Sequence, residues 1–189
     1  GGDVALDVSI ETLSTLLAPL MIPTLLSFLA GQYVSVPAQN LFLSTLRIVV
    51  VPIILGVLIH SIFGKKIDAI IKIMPLISQA AILLIVGAVV SANHANIFTA
   101  ALVIPVVMLH NLCGYALGFG FSKILGLEEP QQKAITFEVG MQDSSLGATL
   151  AMKYFVPQAA IPSTIFSIWH NISGSILSSW WKNHSKKSH

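Results

Sequence analysis

The chain has 189 residues, of which 54% are hydrophobic and 10% are charged, and its mean hydropathy is +0.83. A soluble domain carries about 25% charged residues, so this composition excludes a water-soluble fold, and its apolar character excludes a disordered chain. The formal net charge of +2 does not indicate a nucleic-acid partner, because the basic residues are scattered at the ends of apolar segments. The sequence therefore predicts an integral membrane protein in a lipid bilayer.

Six apolar segments follow one another along the chain, each long enough for a transmembrane helix of about 20 residues. Charged or turn-forming residues separate them, for example Gly64-Lys65-Lys66, Asn93-His94 and Glu128-Glu129-Pro130. We expect an all-α polytopic membrane protein in which residues 1–189 form a single transmembrane domain. The predicted spans cover approximately residues 4–30, 39–63, 67–91, 95–123, 132–154 and 160–181.

The basic residues lie on one side of the predicted bundle. Alternate connections and the polar tail hold Lys65, Lys66, Lys123, Lys133, Lys182, Lys186 and Lys187, whereas the opposite connections hold only Lys153. By the positive-inside rule the lysine-rich side is cytoplasmic. Both ends of the chain are therefore predicted to be cytoplasmic, as an even number of spans requires, in a multi-pass protein of the inner (plasma) membrane.

Several other classes of protein lack support in the sequence. The chain begins Gly1-Gly2-Asp3, without a basic leader, so we predict no signal peptide and expect a piece of a longer protein. The single cysteine, Cys113, lies in an apolar segment and indicates neither a disulfide framework nor a cysteine metal site. The motifs HExxH, GxSxG and CxxC are absent. We therefore predict that the protein is not an enzyme and has no organic cofactor.

The first predicted span carries acids at a helical spacing. Asp3, Asp7 and Glu11 repeat every four residues and so share one helix face. Like charges at that spacing repel, so either a cation lies among them or some are protonated. Asp3 is expected to cap the helix and Glu11 to be functional, while structural and functional interpretations of Asp7 remain equally open.

The fifth predicted span contains the densest polar cluster at membrane depth. Glu138, Gln142, Asp143 and two serines fall inside eight residues around Gly140. A charge at the centre of a span costs roughly 2.5–3.5 kcal/mol, so we predict a helix broken near Gly140 instead of a continuous lipid-facing one. In secondary transporters such breaks supply carbonyls and helix ends to ions and anionic substrates. The alternative is a structural glutamate that hydrogen-bonds to neighbouring helices.

Two His-Asn pairs lie inside predicted spans. His170-Asn171 is followed by Ser173 and Gly174, and it could either donate to a substrate carboxylate or bridge to a neighbouring helix. His110-Asn111 is followed by several glycines. For that pair we favour a packing face of small residues with satisfied polar partners.

The string FEVGMQDSSLG, residues 137–147, resembles the bile acid:sodium symporter family, and bacterial members in particular. FSIWHNISG at residues 166–174 and GDVAL at residues 2–6 carry the same resemblance, which extends over the whole chain. The resemblance implies ten spans in two inverted five-span repeats, with a panel domain rocking against a core domain. The fourth span of each repeat is broken, and the two broken helices cross near the midplane. This chain would contain the second repeat and lack the first four spans of the same protein.

The resemblance also implies roles for single residues. Glu138 and Gln142 would be sodium ligands, helped by the main-chain carbonyls of Val139 and Met141. Asp143, His170 and Asn171 would face the substrate. Sodium-site positions of the family match Asp7 and Glu11.

Three of these positions depart from the family pattern. The family usually has Asn at the position of Asp143, and it often has Ser and Thr at those of Asp7 and Glu11. Two charges about 4 Å apart interact by roughly 4 kcal/mol at an effective dielectric constant near 20. Uncompensated ionisation of these three acids together with Glu138 is therefore not expected. The additional acids could tighten cation binding, admit a proton as the coupling ion or disfavour an anionic substrate.

Together these features predict a cation-coupled secondary transporter that works by alternating access. Sodium is the expected coupling ion and the proton is the alternative. The expected substrate is a small organic anion, such as a bile-acid-like or pantothenate-like acid. A non-transporting membrane sensor or scaffold with the same fold is the alternative from another class.

Overall fold

The computed structural model describes residues 1–92 and 97–185, and most of them are helical. No strand occurs within these ranges, which confirms the predicted all-α class. The predicted break at Asn93-His94 and the end of the tail, including Lys186 and Lys187, lie outside the described residues.

The described ranges form eight α-helices with short connections. They are α1 (Val4–Ala30), α2 (Ala38–Thr45), α3 (Val51–Phe63), α4 (Asp68–Ala92), α5 (Ile97–Ile124), α6 (Glu129–Gly140), α7 (Ser144–Tyr154) and α8 (Ile161–Ser185). A π-helical segment, Leu46–Val50, joins α2 to α3, so that Ala38–Phe63 is one continuous rod. Single 3-10 turns, Gly64–Ile67 and Pro157–Ala160, precede α4 and α8.

Two helix ends differ from the prediction. The α6 helix begins at Glu129, before the predicted residue 132, because Pro130 fits a first turn, where its missing N–H has no helical partner to lose. The main-chain N–H of Glu128 also donates to Gln131 Oε1 (3.2 Å) at this end. The α8 helix continues to Ser185, beyond the predicted residue 181, and the basic Lys182 in its last turn suits the helix dipole.

Apolar side chains cover the outside of the helices. Leu13 on α1 is 61% exposed, Val57 on α3 is 65% exposed and Leu84 on α4 is 75% exposed. Such faces require an apolar surrounding. Among the described residues, Val4–Ala30, Ala38–Phe63, Lys72–Ala92 and Ala101–Ile124 are long and apolar enough to cross a membrane. The protein is accordingly an all-α polytopic membrane protein.

The interior lies around α5 and combines small and polar residues, such as Ala148 and Asn111, with larger apolar ones, such as Ile161 and Phe166. This helix packs along α6 and α8, and α7 in turn packs on α8. A Cβ atom added at Gly118 would lie 2.9 Å from the carbonyl oxygen of Ile135, so the backbones of α5 and α6 approach very closely there. Small residues at helix contacts are typical of membrane bundles.

Side chains at the far end of α7 attach it to α2. Lys153 Nζ donates to Ser44 Oγ (2.9 Å), and the Tyr154 hydroxyl donates to the carbonyl oxygen of Asn40 (3.0 Å). The hydroxyls of Tyr154 and Ser44 are also hydrogen-bonded to each other. These bonds hold the second half of the broken helix against the rod formed by α2 and α3.

Candidate ion and substrate site

The fifth predicted span is broken where the sequence indicated. The α6 helix ends at Gly140 and α7 begins at Ser144, so that Met141, Gln142 and Asp143 are not helical. The Met141 N–H closes the last turn of α6 on the carbonyl of Phe137 (2.7 Å), after which the chain becomes extended. The prediction of a helix broken around Gly140 is confirmed.

Asp143 caps the second half of the broken helix. Its Oδ1 atom accepts hydrogen bonds from the main-chain N–H of Leu146 (3.1 Å) and from the Ser145 hydroxyl (2.7 Å). A carboxylate at this position also interacts favourably with the positive end of the helix dipole. One carboxylate oxygen of Asp143 is therefore occupied within the protein, and the other has no hydrogen bond in the described part of the chain.

A cavity of about 740 Å³, called the main cavity below, lies beside this break, between α1, α6, α7 and α8, with one contribution from α4. It brings together all the residues to which the resemblance assigned an ion or substrate role: Asp7, Glu11, Glu138, Val139, Met141, Gln142, Asp143, His170 and Asn171. These residues are as far apart as 164 positions in the chain. Their shared cavity is the central observation about this protein.

Ser144 and Ser145 of the predicted polar cluster also line the cavity, together with three polar residues to which the sequence had assigned no role, Ser14, Thr15 and Ser167. The position of Ser14 could have been predicted from the sequence. It follows Asp7 by seven residues and Glu11 by three, and so shares their helix face. The position of Ser167 depends on packing: its hydroxyl meets that of Ser144 at 2.7 Å between α8 and α7. Hydroxyl oxygens thus add to the carboxylate and amide oxygens of the cavity.

Of the three acids of α1, one caps the helix and two line the cavity. Asp3 accepts hydrogen bonds from the N–H groups of Ala5 (3.1 Å) and Leu6 (3.0 Å), which confirms that it caps α1. Asp7 and Glu11 line the cavity opposite Glu138. No group of three or more His, Cys, Asp or Glu side chains within the described ranges converges to hold a metal ion. A cation in this cavity would therefore need amide, hydroxyl or carbonyl oxygens as well.

The two His-Asn pairs have different surroundings. Asn171 donates to the carbonyl of Ser167 in its own helix (2.6 Å), and the buried Nδ1 atom of its neighbour His170 has no hydrogen-bond partner among the described residues. Asn111 is fully buried and donates to the carbonyl of Gly140 (2.8 Å), which confirms the predicted satisfied packing residue. His110 is exposed and its Nε2 atom lies 3.2 Å from Gln142 Oε1.

The break is flanked by two further cavities. One of about 360 Å³ lies towards α5 and is lined by His110, Gln142 and Asp143 among others. Another of about 600 Å³ lies towards the rod of α2 and α3 and shares Glu11 and Asp143 with the main cavity. Asp143 borders all three spaces, so the unwound segment is open on several sides.

Comparison with known proteins identifies the family. The model of the sodium bile acid symporter family matches residues 1–100 of the 189. The chain belongs to the sodium bile acid symporter family. This membership confirms the resemblance seen in the sequence, and it agrees with the prediction of a transporter and not an enzyme.

Relatives named as transporters match almost the whole chain. An uncharacterized sodium-dependent transporter of Bacillus subtilis, YocS, is 46% identical over 187 residues, which are 98% of this chain and 58% of the relative. The probable sodium/metabolite cotransporter BASS1 of Arabidopsis thaliana is 34% identical, over 98% of this chain and 47% of the relative. BASS2 of rice, a probable sodium/metabolite cotransporter, is 40% identical, over 96% and 44%. The chain spans about half the length of these relatives.

For this member of the sodium bile acid symporter family, the similarity includes the broken helix. The family model ends at residue 100 and so covers Asp7 and Glu11 but not Glu138. The alignment with the Bacillus protein covers 98% of the chain and therefore extends through α6, α7 and α8. Both parts of the cavity thus lie in the region shared with relatives.

Proposed function

We propose that the protein is a sodium-coupled secondary transporter of a small organic anion that works by alternating access. The observation that carries this proposal is the cavity of about 740 Å³ in which every predicted ligand of the ion and the substrate takes part. The names of the relatives, a sodium-dependent transporter and sodium/metabolite cotransporters, support sodium as the coupling ion. A bile-acid-like or pantothenate-like acid is the proposed class of substrate.

In this proposal sodium binds between α1 and the break. Glu138 supplies the charge, Gln142 supplies an amide oxygen, and the carbonyls of Val139 and Met141 complete the set. Oxygen donors of these kinds suit a hard cation, and free carbonyls beside a broken helix are the usual source of them in transporters. Asp7 and Glu11 line the same cavity from α1 and contribute further negative charge.

The substrate anion is proposed to bind on the α8 side of the cavity. His170 lines the cavity there, and an imidazole N–H can donate to a carboxylate. Asn171 lies beside it, and its amide already donates once to Ser167. The carboxylate of Asp143 lies on the same cavity and would oppose a second negative charge, so a substrate with a single carboxylate is favoured.

The proposed setting is the inner (plasma) membrane of the cell, with both ends of this chain on the cytoplasmic side. The argument is the distribution of lysines between alternate connections. Residues 1–189 would act as one transmembrane domain. The family's remaining spans, four before α1 by the resemblance, would supply the rest of the ion site in the whole protein.

Replacement of sodium is the direct test. Full-length protein in proteoliposomes should take up radiolabelled cholate or pantothenate under an inward sodium gradient, and uptake should fall to background when choline replaces sodium. The physical reason is that choline is too large and cannot be coordinated by the oxygens around Glu138. Radiolabelled ²²Na⁺ should enter together with the substrate.

The other possible results separate the alternatives. Uptake that persists in choline but follows a proton gradient would support proton coupling, for which the acids Asp7 and Glu11 in the cavity provide groups. Uptake that is unchanged in choline and across pH would contradict both forms of coupling. Substrate binding without flux would indicate a sensor or scaffold.

The acids of α1 provide a second test of coupling. Asp7→Ser combined with Glu11→Thr should weaken sodium binding about tenfold, because two charges that attract the cation through partly screened surroundings are lost. The measurement is the sodium concentration that gives half-maximal uptake, repeated at several pH values. Asp3→Ser, which removes an acid that caps α1 outside the main cavity, is the control. An unaltered sodium and pH profile in the double variant would make both acids structural.

A further inference from the structure

The carbonyl of Gly140 is held by a side chain from another helix. At the break, the N–H of Met141 bonds to Phe137 and the N–H of Ser144 bonds to the carbonyl of Gln142 (2.8 Å). Among the described residues, no main-chain N–H donates a hydrogen bond to the carbonyl of Gly140. Asn111 on α5 replaces it, because its Nδ2 atom donates to that carbonyl at 2.8 Å.

The orientation of Asn111 is fixed on both sides. Its Oδ1 atom accepts a hydrogen bond from the hydroxyl of Ser173 on α8 (2.7 Å), and that hydroxyl lies 3.3 Å from the hydroxyl of Tyr115. Asn111 is 0% exposed and Ser173 is 8% exposed. A reversed amide would place oxygen against the oxygen of Gly140, so the network permits one orientation only. Buried networks that are fully satisfied are rigid.

The main chain around Gly140 is also in tight contact with α5. A Cβ atom added at Gly114 would lie 2.9 Å from the carbonyl oxygen of Val139 and 3.1 Å from Cα of Gly140. Asn111 and Gly114 are on one face of α5, three residues apart. Movement of the Asn111 amide would therefore shift the peptide groups on either side of Gly140.

We propose that Asn111 is a positioning residue for the sodium site, which sets the direction of the main-chain carbonyls at the break by holding the carbonyl of Gly140. This inference rests on the proposed function, in which the carbonyls of Val139 and Met141 bind sodium. Asn111 does not line the main cavity, and it acts through the peptide groups on either side of Gly140. Ser173 supports it from α8.

The test is sodium binding by the full-length protein in detergent, measured as the sodium-dependent rise in melting temperature, with sodium-driven uptake measured in parallel. Asn111→Leu has a similar volume and removes the donor to Gly140, so the sodium concentration for half-maximal stabilisation should rise about tenfold. Ser173→Ala leaves the Asn111 donor in place and should raise the sodium concentration for half-maximal stabilisation only about threefold. Asn183→Leu, the same substitution at an exposed position of α8, is the control and should match the wild type.

The readouts separate a positioning role from a structural one. A purely structural role would lower the melting temperature without sodium and leave the half-maximal sodium concentration unchanged, which would overturn the inference. If Asn111→Leu does not fold, Ser173→Ala decides, and an unchanged sodium concentration in that variant contradicts the proposal. Failure of the proposed function would look different, because the wild type itself would then show neither sodium-dependent stabilisation nor sodium-driven uptake.

Discussion

Glu138→Gln is expected to abolish sodium-driven uptake. The substitution keeps the size of the side chain but removes the charge of a half-buried acid that lines the cavity. A carboxylate and a cation about 4 Å apart interact by roughly 4 kcal/mol at an effective dielectric constant near 20. Sodium binding should therefore weaken by up to about a thousandfold. Uptake as a function of sodium concentration measures this loss.

Glu129→Gln on the same helix is the matched control. Glu129 is exposed and forms an ion pair with Lys133 (2.6 Å) at the start of α6, far from the cavity lining. Glu129 is not among the residues that line the cavity, so this variant should bind sodium and transport with wild-type affinity, whatever the loss of its ion pair with the buried Lys133 does to stability. Sodium-driven uptake of wild-type affinity in Glu138→Gln would remove Glu138 from the ion site.

Gly140→Ala is expected to cause the second large loss. A Cβ atom at this position would overlap the ring of Tyr115 on α5, which is only 7% exposed and contacts Phe137 on α6 and Ser173 on α8. Neither the ring nor the α6 backbone can move away without disturbing the Asn111 network described above. Overpacking of this kind costs about 1–3 kcal/mol. We expect a lower melting temperature and a fall in sodium-driven uptake by about tenfold or more.

Gly120→Ala on α5 provides the comparison. No atom lies within 4 Å of the position that its Cβ would occupy, and alanine is the better helix former. This variant should fold and transport as the wild type does, whereas Gly114→Ala, which points at the Val139 carbonyl, should resemble Gly140→Ala. Equal behaviour of the Gly140 and Gly120 variants would show that the close contact at the break has no influence on transport.

The helices of this protein follow from local properties of the chain. Apolar runs of membrane-spanning length predicted the ranges of α1, α4 and α5 closely, because hydropathy is summed over neighbouring residues. The break at Gly140 was also predictable, since carboxylates and amides inside a span are too costly for a regular lipid-facing helix. The motif around that break further identified the family, and with it the residues of the cavity.

The π-helical segment Leu46–Val50 could not be predicted from the neighbouring residues alone. It precedes Pro52, and a proline removes one helical hydrogen bond. However, Pro75 and Pro105 lie inside helices that remain α-helical. A proline in the sequence therefore does not by itself decide between a π-helical and an α-helical segment.

The two His-Asn pairs also separate what the sequence determines from what the packing determines. Their dipeptides are identical in the sequence, but Asn171 bonds within its own helix and Asn111 bonds to Gly140, 29 residues away on another helix. Composition and spacing determined that this is a helical membrane protein with a polar break. The free energy of placing a segment in a bilayer depends on the residues of that segment alone. Which polar side chain meets which carbonyl was decided only by the packing of α5, α6 and α8, because hydrogen bonds between helices depend on distances that the chain order does not contain.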